Sequence, residues 1–203
     1  MKTIFAQPII TPLSRVFAQP FVLPVVLAFG LAACGDNAAR YLVEPAPTAA
    51  AVPLRLPTLE VRDVVLPAYA EGAQILQQDA SGALRPIARS EWADGSSRAV
   101  TAALARSLDL QTTASVAAEP WPLSDAPAGR LDVRIDRIVA RADQTFQLSG
   151  QYAVASFQGN ISEVLQRFDI RVPMAGDSPA AIAAAQGQAL DQLAAQIVTR
   201  LRR

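Results

Sequence analysis

The chain has 203 residues, 51% of them hydrophobic, with 18 Lys plus Arg against 18 Asp plus Glu, no His and one Cys. A formal charge of zero argues against a nucleic-acid binder, which normally carries a basic field. The 10 Gly and 15 Pro are too few for a collagen-like or wholly disordered protein, so a soluble folded domain remains.

The first 33 residues stand apart. They carry Lys2 and Arg15 and no acid, and without them 16 Arg face 18 acids, a net charge of −2. The apolar stretch from Phe21 to Ala33 ends in small residues, which is the layout of a signal peptide. The rival reading, a permanent transmembrane anchor, needs about 20 apolar residues, and Pro20 and Pro24 would leave backbone groups without partners in lipid. Leu31, Ala32, Ala33 and Cys34 resemble the lipobox of bacterial lipoproteins. In such a box Cys34 would be diacylated on sulfur, the chain cut before it and the new amino group acylated. Small side chains at Ala32 and Ala33 let a peptidase approach the backbone, and the Cys34 thiolate is the strongest nucleophile the sequence offers. A buried structural Cys is the plain alternative, but this one falls directly after a signal-type run and before a polar linker. Three acyl chains exceed the two-signal threshold for stable anchoring. Lipoproteins of this class with Asp after the Cys tend to stay in the inner membrane, and Gly35 holds that position here. The resemblance therefore implies the outer membrane, with the domain facing the periplasm. A single Cys also rules out an internal disulfide.

Residues 34–55 read as the acylated Cys and an Ala/Pro-rich tether, a composition that favours extended chain. Within it Tyr41, Leu42, Val43, Glu44 and Pro45 form an apolar patch. It is either a disordered tail or a segment docked on the domain or on a partner, and docking removes its costly exposure.

The domain is expected over 56–203. Leu59, Val61, Val64, Val65 and Leu66 read as a first, central strand stopped by Pro67. Gln74–Gln78 and Leu84–Ala88 suggest a hairpin, with Pro86 marking an edge. Asp94–Leu108 reads as a helix from the recurrence of Val100, Leu104 and Leu108 behind the cap candidates Asp94, Ser96 and Ser97. From Arg130 to Val172 three strands form a meander. Leu131, Val133 and Ile135 alternate with Asp132, Arg134 and Asp136, and the apolar phase then shifts to Ile138 and Ala140, as a bulge near Arg137 would cause. Gln158, Gly159 and Asn160 form the next turn. Asp177, Ser178 and Pro179 open a last helix that faces inward through Ile182, Ala189, Leu190, Leu193, Ile197 and Leu201. The resulting fold class is α+β, a mostly antiparallel sheet with two helices packed on one face.

Chemistry is sparse. Without His, without Lys beyond Lys2 and with Cys34 consumed, the usual general base, Schiff-base amine and thiol nucleophile are missing, so an enzyme is not expected. No metal site, phosphate-cradling Gly loop or cofactor signature is found. Asp132 and Asp136, placed on one strand face around Arg134, read as a solvated charge ladder rather than an acid/base pair. The remaining informative residues are aromatics beside prolines or at element starts. Trp92 reads first as core filling. Tyr69 and Trp121 lie in loops and fit either a contact surface or a lid over the core.

Taken together, Cys34 after a lipobox, Tyr41-Leu42-Val43-Glu44-Pro45, Val61, Val64, Leu66, Pro67 and Tyr69, the hairpin, and Glu91-Trp92-Ala93-Asp94 opening a helix resemble the ABC-type transport auxiliary lipoprotein family. That family includes the paraquat-inducible protein C lipoproteins. Ala70 stands where the family usually has Leu, and Gly95 where it commonly has Pro. The resemblance implies a non-catalytic, outer-membrane-anchored periplasmic accessory to an ABC or MCE-domain lipid transport system that bridges the two membranes and supports membrane integrity. It would carry no cofactor beyond the covalent fatty acid on Cys34. Expected partners are an MCE-domain protein, ABC components and further copies in a homo-oligomeric ring, with contacts through Tyr41, Tyr69, Trp92 and Trp121. A scaffold of another envelope machine and a lipid-binding chaperone are the rivals. The chaperone requires an underfilled space between sheet and helices.

Overall fold

The computed structural model describes residues 37–45, 50–157, 159 and 161–202. The expected meander is its backbone. Strands β6 (Gly129–Ala140), β7 (Thr145–Ser156) and β8 (Val164–Pro173) pair antiparallel in succession. Strict alternation in β6 buries Leu131, Val133 and Ile135 and leaves Asp132 and Arg134 in solvent. The register then shifts between Ile135 and Arg137, so the expected bulge is present and Asp136 is the extra residue. Gly150 makes the bulge possible, because a Cβ there would collide with the Arg134 carbonyl. Asp132, Arg134 and Asp136 are all exposed, alternating with buried Leu131, Val133 and Ile135, and the phase changes only after Asp136. In the next turn Gly159 has φ +67°, while Gln158 and Asn160 lie outside the described residues.

The other edge of β6 forks. Its first part accepts β2 (Thr58–Val61) in parallel, and β2 carries β5 (Ser115–Ala118), also parallel, on its far side. Its last residue, Ala140, pairs in parallel with Gln77 of β3 (Gln74–Gln78). Beyond β3 lie antiparallel β4 (Leu84–Trp92) and then β1 (Ala39–Tyr41), which runs parallel to β4. The sheet is therefore mixed, which corrects the expectation of a mostly antiparallel one. The reason is connectivity: β2 reaches β5 through the hairpin and a helix, and such a crossover delivers a parallel strand. Pro86 faces β3 only, and β1 covers β4 only from Ser90 to Trp92, so the proline does sit at an edge.

Helices α1 (Ser96–Gln111) and α2 (Pro179–Leu201) pack on each other and on one sheet face. The cap of α2 is as expected: the Ser178 hydroxyl accepts the Ala181 amide at 3.2 Å, with Pro179 in the first turn. The cap of α1 is not. Gly95 holds the cap position and provides no side-chain bond, because the Ser96 and Ser97 hydroxyls instead donate to the carbonyls of Gly72 at 2.8 Å and Val64 at 2.6 Å. They tie the helix start to the chain leaving β2. Between the layers, Leu59, Leu104, Leu131, Leu148, Leu190 and Leu193 are all fully buried. One polar link crosses the helix pair, where the Ser107 hydroxyl donates to the Asp191 carboxylate and Gln111 bonds to the Asp191 carbonyl at 3.1 Å.

Residues 37–203 form one compact unit. Part of the segment expected as tether is thus integral to the sheet: β1 pairs with β4, and Val52 bridges to Thr112 at the end of α1.

Candidate docking site

The chain leaving β2 stops pairing at Val61, returns for a single bridge between Val65 and Arg134, and then makes a short 3-10 turn at Ala68–Ala70. Pro67 precedes that turn with extended backbone and fixes its direction. The turn sets Tyr69 over the β6 edge between its two branches. There the phenol oxygen accepts the Ile138 amide at 3.0 Å and donates to the Ile138 carbonyl at 3.4 Å. Tyr69 thus replaces a missing strand at the fork, and its ring stays 37% exposed.

Trp92 ends β4, opposite Tyr41 of β1 in the parallel register, and both are partly buried against the core. Trp92 and Tyr69 border the same small apolar cavity, closed by Val100 of α1 and by Ile182 and Gln186 of α2. The structure therefore brings Tyr41, Trp92 and Tyr69 to one end of the molecule, beside the starts of both helices. Trp121 is elsewhere. It lies in the loop after β5, where the Glu119–Pro120 bond is cis and the indole N–H donates to the Asp125 carbonyl at 2.8 Å. That bond staples its own loop.

The Tyr41–Pro45 patch docks on the domain. The Ala93 amide donates to the Tyr41 carbonyl at 2.8 Å, Val43 packs against the core, and the Glu44 carbonyl lies against Gly187 of α2. Leu42, at 64% exposure, and Glu44 are the exposed residues of the patch. The sequence pattern missed β1 because three residues carry no periodicity, and it missed Gln186, which reads only as a polar break in an apolar helix face.

Two ion pairs outside this end serve the fold. The Arg62 guanidinium bonds Glu119 at 2.7 Å. Burial pushes the Glu119 carboxyl up, yet the Asp63 amide and Arg62 together hold it below the ordinary value. Arg130 bonds the buried Glu60 at 2.8 Å and stacks over Phe157 at 5.1 Å. Among the described residues no group of three or more His, Cys, Asp or Glu is gathered that could hold a metal, and no helix is long and apolar enough to cross a membrane. Leu31, Ala32, Ala33 and Cys34 lie outside the described residues.

Residues 41–198 match the family model described as the ABC-type transport auxiliary lipoprotein component. No curated protein matches the chain. Among solved structures, an uncharacterized protein is similar with a TM-score of 0.61 and 18% identity, over 75% of this chain and 99% of its own. A Xanthomonas campestris protein assigned to a domain family of unknown function is similar with a TM-score of 0.55 and 16% identity, over 79% of this chain and 90% of its own. At these identities the two structures speak for the fold.

Proposed function

This chain belongs to the ABC-type transport auxiliary lipoprotein component family, and on that premise we propose that it is a non-catalytic periplasmic lipoprotein, moored to the outer membrane through Cys34. It serves as the auxiliary subunit of an ABC/MCE-type lipid transport system bridging the inner and outer membranes, and so supports membrane integrity. The family match carries this reading. The physics supports it: a near-neutral domain that presents aromatic side chains and no catalytic group is suited to holding a partner, and membrane mooring raises the effective concentration of that contact. Tyr41, Tyr69 and Trp92 are the contact residues the geometry favours, while Trp121 belongs to a separate loop.

The cavity beneath Tyr69 and Trp92 measures about 30 Å³, room for one or two water molecules, so that cavity does not hold an acyl chain. The tether also plays a smaller part than its composition suggests, because residues 39–45 are held by β4 and α2.

Mild cross-linking of native membranes, detergent extraction and purification of the full chain tests the proposal. Recovery of an MCE-domain protein together with ABC components is expected. Their absence from the cross-linked material would overturn it.

A further inference from the structure

Strand β8 is an edge of the sheet. Among the described strands it pairs with β7 only, so along its other side a row of backbone N–H and C=O groups has no strand partner. Phe168, Ile170 and Val172 are buried on the face that packs on α2, whereas Gln166, at the same phase of the strand, is exposed. A groove of about 380 Å³ opens there, between Tyr152 and Gln166 of the sheet and Ala195, Thr199 and Arg200 of α2, with Arg167 beside it. We propose that the β8 edge and this groove take an extended, acidic segment of a partner protein as an added strand, whose carboxylates meet Arg167 and Arg200.

Main-chain hydrogen bonds to a free edge supply affinity, and the groove beside it selects side chains. Charge selects the segment. The groove is lined by two guanidiniums and no carboxylate, and among the described residues neither Arg167 nor Arg200 makes an ion pair. Asp169, two residues along β8, is already engaged by Arg171 at 3.8 Å and by the Gln147 amide at 2.9 Å. Glu163, just before the strand, lines a neighbouring hollow with Arg55 and Arg200, where the cations outnumber it. The helix dipole accounts for a cation at Arg200 near the end of α2, but not for Arg167 on the strand. Apolar exposure marks the same edge: Leu165 is 74% exposed on β8, although an edge guarded against strand addition carries charge or proline. The site is also separate from the Tyr69–Trp92 end. Helix α2 spans about 35 Å over its 23 residues, with Ile182 at that end and Arg200 at this one, so the two surfaces can be occupied together.

The full chain in detergent is titrated into a fluorescein-labelled Glu-Val-Glu-Val-Glu peptide, with Lys-Val-Lys-Val-Lys as the charge-reversed probe. Saturable anisotropy is expected for the acidic peptide alone, with slower hydrogen exchange of the β8 amides in the bound state. Arg167→Gln and Arg200→Gln, both at exposed positions, should each weaken binding about two- to fivefold, the scale of exposed ion pairs, and added salt should weaken it further. No saturable binding of the acidic peptide overturns the inference, as does equal binding of the basic one or an unchanged affinity in both arginine variants. Binding that leaves β8 exchange unaltered refutes strand addition. A response of the Arg200 region to inorganic phosphate or dihexanoylphosphatidylglycerol, with none to the acidic peptide, overturns the inference by assigning the groove to phosphate chemistry. A concentration-dependent dimer that protects the β8 amides without any peptide overturns it by giving the edge to a second copy. None of these outcomes depends on recovery of transporter subunits, so this inference stands or falls apart from the docking reading above.

Discussion

Gly187 of α2 lies so close to the Glu44 carbonyl that a Cβ on the glycine would sit far inside contact distance. The neighbour is backbone, so no rotamer change relieves the clash, and the helix must be bare at that position for the strap from β1 to cross it. Gly187→Val should therefore lift residues 42–45 off the domain. Overpacking of this kind costs about 1–3 kcal/mol. In Gly187→Ala the clash is set against a gain of about 1 kcal/mol in helix propensity, so the valine loss should exceed the alanine loss. Chemical denaturation measures both, and faster trypsin cleavage at Arg40 reports the freed strap. A valine variant with wild-type stability and cleavage would refute the assignment.

Arg130 and Glu60 form the most buried ion pair among the described side chains, with Glu60 at 7% and Arg130 at 36% side-chain exposure. Arg130→Ala would leave the Glu60 carboxylate buried and unpaired, and would also strip the cation from the Phe157 ring. A hydrogen bond to a charged group is worth about 1.5–3 kcal/mol. The half-open arginine argues for the lower part of that range. Urea denaturation should show the loss, while Arg85→Ala, at a pair whose arginine is 71% exposed, should change stability by less than about 0.5 kcal/mol. Equal effects at the two sites would contradict this ranking.

The meander was legible because three long strands each bury one face, and the phase shift from Ile135 to Ile138 announced the bulge. The α2 cap was legible because Ser178 and Pro179 have few other local uses. Parallel pairing was not legible. β5 is four residues of Ser, Val and Ala with no alternation, and β1 is three residues inside a segment whose composition reads as linker, so neither appears in a local pattern. Without them consecutive strands look like neighbours. The α1 cap misled for a related reason: Ser96 and Ser97 are good cap residues in isolation, but long-range carbonyls at Gly72 and Val64 compete for their hydroxyls. Of the candidate site, the aromatics were visible in sequence, while their convergence on Gln186 depends on the fork of β6.

Tyr69→Phe tests whether the phenol stands in for a strand at that fork. The ring and its packing remain, but the Ile138 amide loses its 3.0 Å acceptor. A loss of about 1 kcal/mol is expected, with faster hydrogen exchange confined to Ile138 and its neighbours. Global acceleration of exchange, or none, would show that the hydroxyl has another role.

Cys34→Ser addresses mooring. Without the thiol no acyl chain can be attached, so the domain should appear in soluble periplasm or remain as an uncleaved precursor. Fractionation and intact-mass measurement separate these products from the acylated form. Unchanged outer-membrane fractionation of the serine variant would contradict lipid anchoring at this residue.

Asp79 supplies a pH-dependent test of the β3–β4 turn. Its carboxylate accepts the Ser81 hydroxyl, the Ala83 amide at 3.0 Å and the Arg85 guanidinium at 3.2 Å. These bonds, the serine hydroxyl foremost, lower its pKa from 3.8 to about 2. A carboxyl that is more acidic in the folded state contributes stability above its unfolded pKa and loses that contribution as pH falls through the folded value. The turn should therefore hold at pH 5 and loosen between about pH 4 and 2, the interval set by those two values. The side-chain carboxyl carbon of Asp79 should titrate with a midpoint near 2, and the Ser81 and Ala83 amides should lose protection in step with it. In Asp79→Ala the same two amides should be unprotected already at neutral pH, with the meander unaffected. A midpoint near 3.8 would mean that the turn does not hold the carboxylate in solution.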